Sequence, residues 1–194
     1  GDRIGKIKLL GAGDRAQVFF GGEPVTTFYD RELLEERETD LFCAEDSSLS
    51  ILTENMGRVN FGPRIESQKK GIAGGVLLNA RHQFGWEMFP LPMDNLEKLD
   101  FSKGWKSGEP AFYRFRFQVE KGDVCDTFLD FTGWGKGFAV LNGFNLGRFW
   151  EKGPQKRLYI PAPLLKEGEN ELILFESEGK TPETVSLEKE PLLE

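Results

Sequence analysis

The residues most suited to chemistry lie in one short run, ENMGRVNFG, at 54–62. Asn55, Arg58 and Asn60 offer hydrogen-bonding groups and Phe61 offers an aromatic face, so together they suit a polar ligand that is both hydrogen-bonded and stacked. An apolar strand sequence precedes the run, and loops held by rigid strands are frequent recognition sites. We therefore expect these four residues to contact a substrate or a partner domain.

A structural interpretation of the same loop stands beside this one. Asn and Arg side chains also satisfy backbone groups in irregular turns, and the sequence favours neither interpretation. If the loop serves recognition, Phe61 and Arg58 should be largely exposed to solvent. Burial of both side chains would favour the structural interpretation.

Two glycine-rich runs resemble phosphate-binding loops, but neither precedes a helical sequence. GAGDRA (11–16) and GWGKG (133–137) lead into strand-forming residues, whereas phosphate binding needs a helix N-terminus behind the loop. A catalytic triad would have to use His82, and one histidine with the distant Cys43 and Cys125 does not make a zinc site. We expect no nucleotide, metal or other cofactor.

Composition excludes two classes of partner. The 194 residues are 39% hydrophobic and 29% charged, with a net charge of −7. Lys and Arg are scattered, so the chain lacks the basic field that nucleic-acid binding needs. No apolar run approaches the roughly 18 residues of a membrane span. Neither nucleic acid nor a membrane is an expected partner.

The local pattern predicts an all-β fold. In FYRFRFQV (112–119) aromatic and polar residues alternate, which places them on opposite faces of a strand. Similar short runs, separated by Gly, Pro, Asn or Asp, recur at the spacing of a β-sandwich. Asn142-Gly143 predicts a tight hairpin, and only 30–39 and 90–99 suggest helical turns.

The two halves of the sequence repeat each other at a fixed shift of 122 residues. The shift gives eight identities without a gap, among them Val18 with Val140 and Ile51 with Ile173. Such internal repetition predicts two copies of one fold. The predicted segments are a first β-sandwich at 1–80, an aromatic and proline-rich linker at 81–104, a second β-sandwich at 105–180 and a C-terminal strand or tail at 181–194.

Five stretches resemble, in the same order, the C-terminal β region of family-35 β-galactosidases: 51–62, 69–78, 112–117, 126–150 and 153–176. The resemblance implies two galactose-binding-like jelly rolls that follow a (β/α)8 barrel, whose two glutamates catalyse hydrolysis with retention of anomeric configuration. Neither glutamate matches a position here, and a barrel takes about 250 residues. We therefore expect the chain to lie after the barrel and to be inactive alone.

The favoured function is that of a non-catalytic region which packs on the barrel of the same polypeptide and helps to shape its substrate entrance. The alternative is an autonomous carbohydrate-binding module for β-galactosides, in which tryptophans stack on the sugar and polar side chains donate to its hydroxyls. The residues that would do so are Trp86, Trp105, Trp134, Trp150, Arg148 and Asn145. Core packing is the competing explanation for Trp134 and Trp150.

A third interpretation is a sandwich stabilised by calcium. Acidic residues cluster in EKGDVCDTFLD, namely Glu120, Asp123, Asp126 and Asp130. They follow no recognisable calcium-loop spacing, so a solvated turn is the competing explanation.

Overall fold

Alternating apolar and polar residues become β-structure along both halves of the chain. The computed structural model describes residues 3–42, 47–63, 65–104 and 106–192, so Cys43 and Trp105 lie outside the described residues. The chain divides into two units, Gly1–Leu91 and Pro92–Glu194, at a point inside the segment predicted as a linker. The prediction of an all-β fold is confirmed.

Two antiparallel sheets build the first unit. Its described strands are β1 (Arg3–Gly13), β2 (Arg15–Phe20), β3 (Glu23–Tyr29), β4 (Glu36–Phe42), β5 (Leu49–Glu54), β6 (Gly71–Leu78) and β7 (Arg81–His82). One sheet has the order β4-β1-β6-β7 and the other β3-β2-β5. A 3₁₀ helix, Asp30–Leu34, follows β3. Apolar side chains from both sheets meet in one core that contains Ile7, Leu9, Ala16, Val18, Phe28, Leu33 and Val76.

The second unit also consists of two antiparallel sheets. Its described strands are β8 (Ala111–Val119), β9 (Thr127–Asp130), β10 (Lys136–Leu141), β11 (Phe144–Trp150), β12 (Arg157–Ile160), β13 (Gly168–Glu176) and β14 (Ser186–Glu188). The sheets have the orders β11-β10-β13-β8 and β12-β9-β14. Short 3₁₀ helices lie at Leu96–Lys98 and Ala162–Leu164. In the described part of the chain, no helix is long and apolar enough to cross a membrane.

The internal repeat is confirmed for the strands. In each unit the first strand of a hairpin, β2 or β10, pairs with its hairpin partner and with one later strand, β5 or β13. The two hairpins correspond at a shift of 121 residues, since Arg15–Phe20 then falls on Lys136–Leu141 and Glu23–Tyr29 on Phe144–Trp150. Both hairpins also change register at the same place, after Val18 and after Ala139.

The predicted shift of 122 residues is therefore wrong by one in the hairpins. Val18 belongs to the core of the first unit, and Ala139 belongs to the core of the second. Val140 follows Ala139 and therefore lies on the other face of the strand. Val18 pairs with Ile51 and Ala139 pairs with Leu174, so β5 corresponds to β13 at a shift of 123. A one-residue slip exchanges the faces of a strand. The identities therefore predicted correctly which strands correspond, but paired residues that lie on different faces.

The corrected shift makes two buried cations equivalent. Arg15 is 1% exposed and Lys136 is fully buried. Each lies beside the aromatic residue that pairs with it across the hairpin: the Arg15 guanidinium carbon is 5.4 Å from the centre of the Tyr29 ring and the Lys136 Nζ is 5.6 Å from that of Trp150. A cation near an aromatic face is stabilised electrostatically, so the repeat keeps a cation–aromatic pair at the open end of each hairpin.

Gly137 lies in close contact with the backbone of the neighbouring strand. A Cβ atom at this position would lie 1.6 Å from the carbonyl oxygen of Phe175 on β13. No side chain fits there, because the overlap can be relieved only by moving one strand away from the other.

Gly137→Ala should therefore lower the free energy of unfolding by about 3 kcal/mol or more, the range of severe packing defects. Gly104→Ala is the matched control, since no atom lies within 4 Å of the added Cβ. Urea denaturation followed by circular dichroism measures both variants. Equal stability of the two variants would contradict the close contact.

Candidate functional site

The loop between β5 and β6 has both ends attached to one carboxylate. Asp14, between β1 and β2, accepts the backbone N–H of Met56 at 2.9 Å. It also pairs with Lys70, whose Nζ lies 2.6 Å from each carboxylate oxygen. The Asp14 N–H donates to the Glu54 carbonyl at 3.1 Å. Asp14 thus connects the junction of β1 and β2 to both the start and the end of the loop.

Gln68, near the end of the loop, is hydrogen-bonded to residues near its start. Arg58 Nη1 donates to the Gln68 carbonyl oxygen at 2.9 Å, and the Val59 N–H donates to Gln68 Oε1 at 3.2 Å. At the start of the loop, Asn55 Oδ1 accepts the N–H of Gly57 at 3.0 Å. Arg58 and Asn55 therefore help to position the loop.

The tip of the loop presents Phe61 to solvent, with its side chain 89% exposed. The neighbouring Asn60 is also exposed and has no hydrogen-bond partner among the described residues. Gly57 and Gly62 on either side have φ values of 134° and 118°, which favour glycine. At consecutive positions the tip thus exposes an amide without a partner among the described residues and an aromatic ring.

The structure brings the four predicted loop residues together and separates their roles. Phe61 and Arg58 are exposed, which the recognition interpretation requires. The hydrogen bonds of Asn55 and Arg58 within the loop are those that the structural interpretation expects. Their function stays a prediction, with Phe61 and Asn60 as the side chains available to a ligand.

Sequence reasoning missed the residues that position the loop. Asp14, Gln68 and Lys70 act across 9 to 56 residues of sequence, and no local pattern joins such distant residues. The one available signal was the position of Asp14 after a Gly-x-Gly pair, where Asp is typical of a turn.

The second unit has no comparable loop after β13. The Glu176 carboxylate closes the turn by accepting the backbone N–H groups of Lys136, Glu178 and Lys180 at 2.8–3.1 Å. Burial raises the pKa of this carboxyl, because the ionised form loses its hydration, although the three N–H donors act in the opposite direction. The exposed aromatic tip is thus specific to the first unit's loop.

Trp134 is not a stacking residue, and its prediction as one is wrong. The side chain is 1% exposed, and its Nε1 donates to the Thr184 carbonyl at 3.1 Å. The rings of Tyr113 and Phe149 lie edge-on to it, with centroids 5.1 and 6.3 Å away. Both faces of the indole are therefore inside the core of the second unit, because a large apolar ring gains most free energy by burial.

The other predicted sugar-stacking residues are distributed over both units. Trp150 is half-buried, and the ammonium groups of Lys136 and Lys152 lie 5.6 and 5.4 Å from its ring. Arg148 is exposed and pairs across the strands with Phe138. In the first unit, Trp86 is partly exposed and donates to the Gln83 carbonyl at 3.0 Å.

Two of the four acidic residues considered for calcium, Asp126 and Asp130, have protein partners. Asp126 accepts the Tyr159 hydroxyl at 2.6 Å and the Ala162 N–H at 2.8 Å. The hydroxyl contact is the main reason that the pKa of Asp126 is lowered. Asp130 pairs with Arg157. Within the described ranges, no three His, Cys, Asp or Glu residues are close enough to hold a metal ion.

Two family models match the chain. Residues 3–92 match the model described as "Beta-galactosidase, first all-beta domain", and residues 110–170 match "Beta-galactosidase, galactose-binding domain". The first match contains the loop with Phe61, and the second contains the hairpin with Gly137.

Curated relatives carry the same family name. Beta-galactosidase 17 of Arabidopsis thaliana is 42% identical over 156 residues, which are 71% of this chain and 22% of the relative. The beta-galactosidase of Xanthomonas manihotis is 37% identical over 163 residues, 82% of this chain and 26% of the relative. Beta-galactosidase-1-like protein 2 of Homo sapiens is 41% identical over 135 residues, 66% of this chain and 21% of the relative. The chain thus spans about a quarter of these relatives.

Phe61→Ala should leave the stability of the 194-residue chain almost unchanged, because the exposed ring has little packing to lose. Phe28→Ala, in the core of the same unit, should cost about 3–5 kcal/mol. Thermal unfolding of both variants measures the difference. A large loss of stability in Phe61→Ala would show that the ring is structural.

Proposed function

Because the chain belongs to the β-galactosidase family, we propose that it is a non-catalytic part of a β-galactosidase and that its first sandwich borders the substrate entrance of a catalytic barrel. The observation that carries this proposal is Phe61, 89% exposed at the tip of a loop whose two ends are held by Asp14. A flat aromatic side chain suits the apolar face of a sugar ring, and the Asn60 amide suits its hydroxyl groups.

The anchoring of the loop supports a role in recognition. The Asp14–Lys70 pair and the Arg58–Gln68 hydrogen bond restrict the loop before any ligand arrives. A site that is already ordered loses less conformational entropy on binding. The tip is therefore suited to a weak, specific contact with the part of the substrate that extends out of the barrel.

Catalysis is assigned to the barrel in this proposal. Retaining hydrolysis needs two carboxyl groups about 5 Å apart, one of them protonated. Glu54, at the end of β5, lies 3.8 Å from the Arg15 guanidinium, and Glu176, at the end of β13, is buried against three backbone N–H groups. Both side chains serve the fold of their own unit.

In the full-length enzyme, Phe61→Ala should raise KM for a chromogenic β-galactoside by about two- to tenfold, the worth of one aromatic contact. The values of kcat and Tm should hardly change, because the ring contributes neither to chemistry nor to packing. Steady-state kinetics and thermal unfolding measure these quantities. Phe144→Ala is the matched control, since Phe144 is also an exposed aromatic at a loop.

Two results would reject the proposal. One is a lowered Tm with unchanged kinetics in Phe61→Ala. The other is turnover of the galactoside by the 194-residue chain alone. Calorimetric titration of a β-galactoside into the chain tests the carbohydrate-binding-module alternative, which predicts saturable binding that Trp86→Ala or Arg148→Ala removes.

A further inference from the structure

An extended segment with large apolar side chains follows β7 in the first unit. This apolar strap comprises residues 84–91, of sequence FGWEMFPL. Phe84 is 86% exposed, Met88 88% and Phe89 75%. Soluble proteins rarely leave so many neighbouring apolar side chains uncovered, and such patches typically mark interaction surfaces.

The backbone of the strap is equally free. The last backbone hydrogen bond before it joins the Gln83 N–H to the Val76 carbonyl at 2.9 Å. Among the described residues, no backbone group between Phe84 and Leu91 has a partner in a turn or a strand. A partner that covers this segment must therefore offer hydrogen-bond donors and acceptors to its backbone as well as apolar contacts to its side chains.

Charge restricts the choice of partner. Glu87 is the one charged residue among 84–91, so the strap suits an apolar protein surface and lacks the Lys and Arg that attract anionic lipid headgroups or nucleic acid. A second copy of the chain is disfavoured because each copy carries a net charge of −7.

The family match places the strap inside a domain. The model of the first all-β domain extends to residue 92 and so includes the strap. In three of the relatives the matched region is 20–27% of the protein, so more than seven tenths of each relative lies outside it. A large part of those polypeptides is therefore available to cover an exposed segment of this domain.

We propose that the apolar strap docks on the catalytic domain of the same β-galactosidase polypeptide; this rests on the proposed function. Docking here would also orient the loop with Phe61. That loop ends at Lys70, β6 begins at Gly71, and β7, which pairs with β6, leads into the strap. A partner that holds the strap therefore holds the strand next to the loop.

Hydroxyl-radical footprinting read by mass spectrometry tests this contact. The modification rate of Met88 is measured in the 194-residue chain and in the full-length gene product. We expect Met88 to react at least about fivefold more slowly in the full-length protein, because a docked side chain loses its solvent access. Phe144, which is exposed on the second unit's hairpin, should react equally in both proteins.

A double variant, Phe84→Ser with Phe89→Ser, gives a second measurement. In the chain alone its Tm should equal that of the wild type, because the two rings are exposed. In the full-length protein its Tm should fall by about 4 °C or more, as expected for the loss of buried apolar contacts. Phe144→Ser is the matched control and should leave both Tm values unchanged.

Several outcomes would overturn the proposal. One is an equal modification rate of Met88 in the two proteins, and another is protection of Met88 in the dilute chain alone. Protection that grows with chain concentration would indicate a second copy of the chain. Protection by phosphatidylcholine vesicles would indicate a lipid surface. A gene product without a catalytic domain would also overturn it. Protection of Met88 without a KM effect in Phe61→Ala supports docking and rejects the entrance role, and the reverse result rejects docking alone.

Discussion

Both units depend on the register between a hairpin and the strand that pairs with its first strand. Val18 opposite Ile51 in the first unit and Ala139 opposite Leu174 in the second direct the apolar side chains into the two cores. A slip by one residue would turn those side chains outwards. In the first unit the same register brings the end of β5 to Asp14, where the candidate loop starts.

The same register is found in two domains that match different β-galactosidase domain models. The first all-β domain and the galactose-binding domain have the same hairpin, the same added strand and a change of register at the same place. One difference between them lies after β5 and β13. One domain carries a loop of more than a dozen residues with an exposed aromatic tip, and the other closes a turn on the carboxylate of Glu176. A shared framework thus carries unlike surfaces.

The sequence predicted what periodicity and glycine turns encode: the all-β class, the two-fold repetition and the hairpin at Asn142-Gly143. It misplaced the repeat by one residue because identities do not report which face of a strand is buried. It gave core packing as the competing explanation for both Trp134 and Trp150, of which Trp134 is buried and Trp150 half-buried. The contacts of Asp14 with Met56 and Lys70 could not be predicted, since only folding brings these residues together.

Because both ends of the loop are attached to Asp14, the positions of these ends do not depend on the residues at the tip. The gap that the loop must span is set by the framework, and the entropy of closing such a gap changes only slowly with loop length. The tip is thereby free to vary in length and chemistry while the sandwich stays unchanged. Under the proposed function, related enzymes with different substrates are expected to diverge at the tip and to retain the acidic anchor.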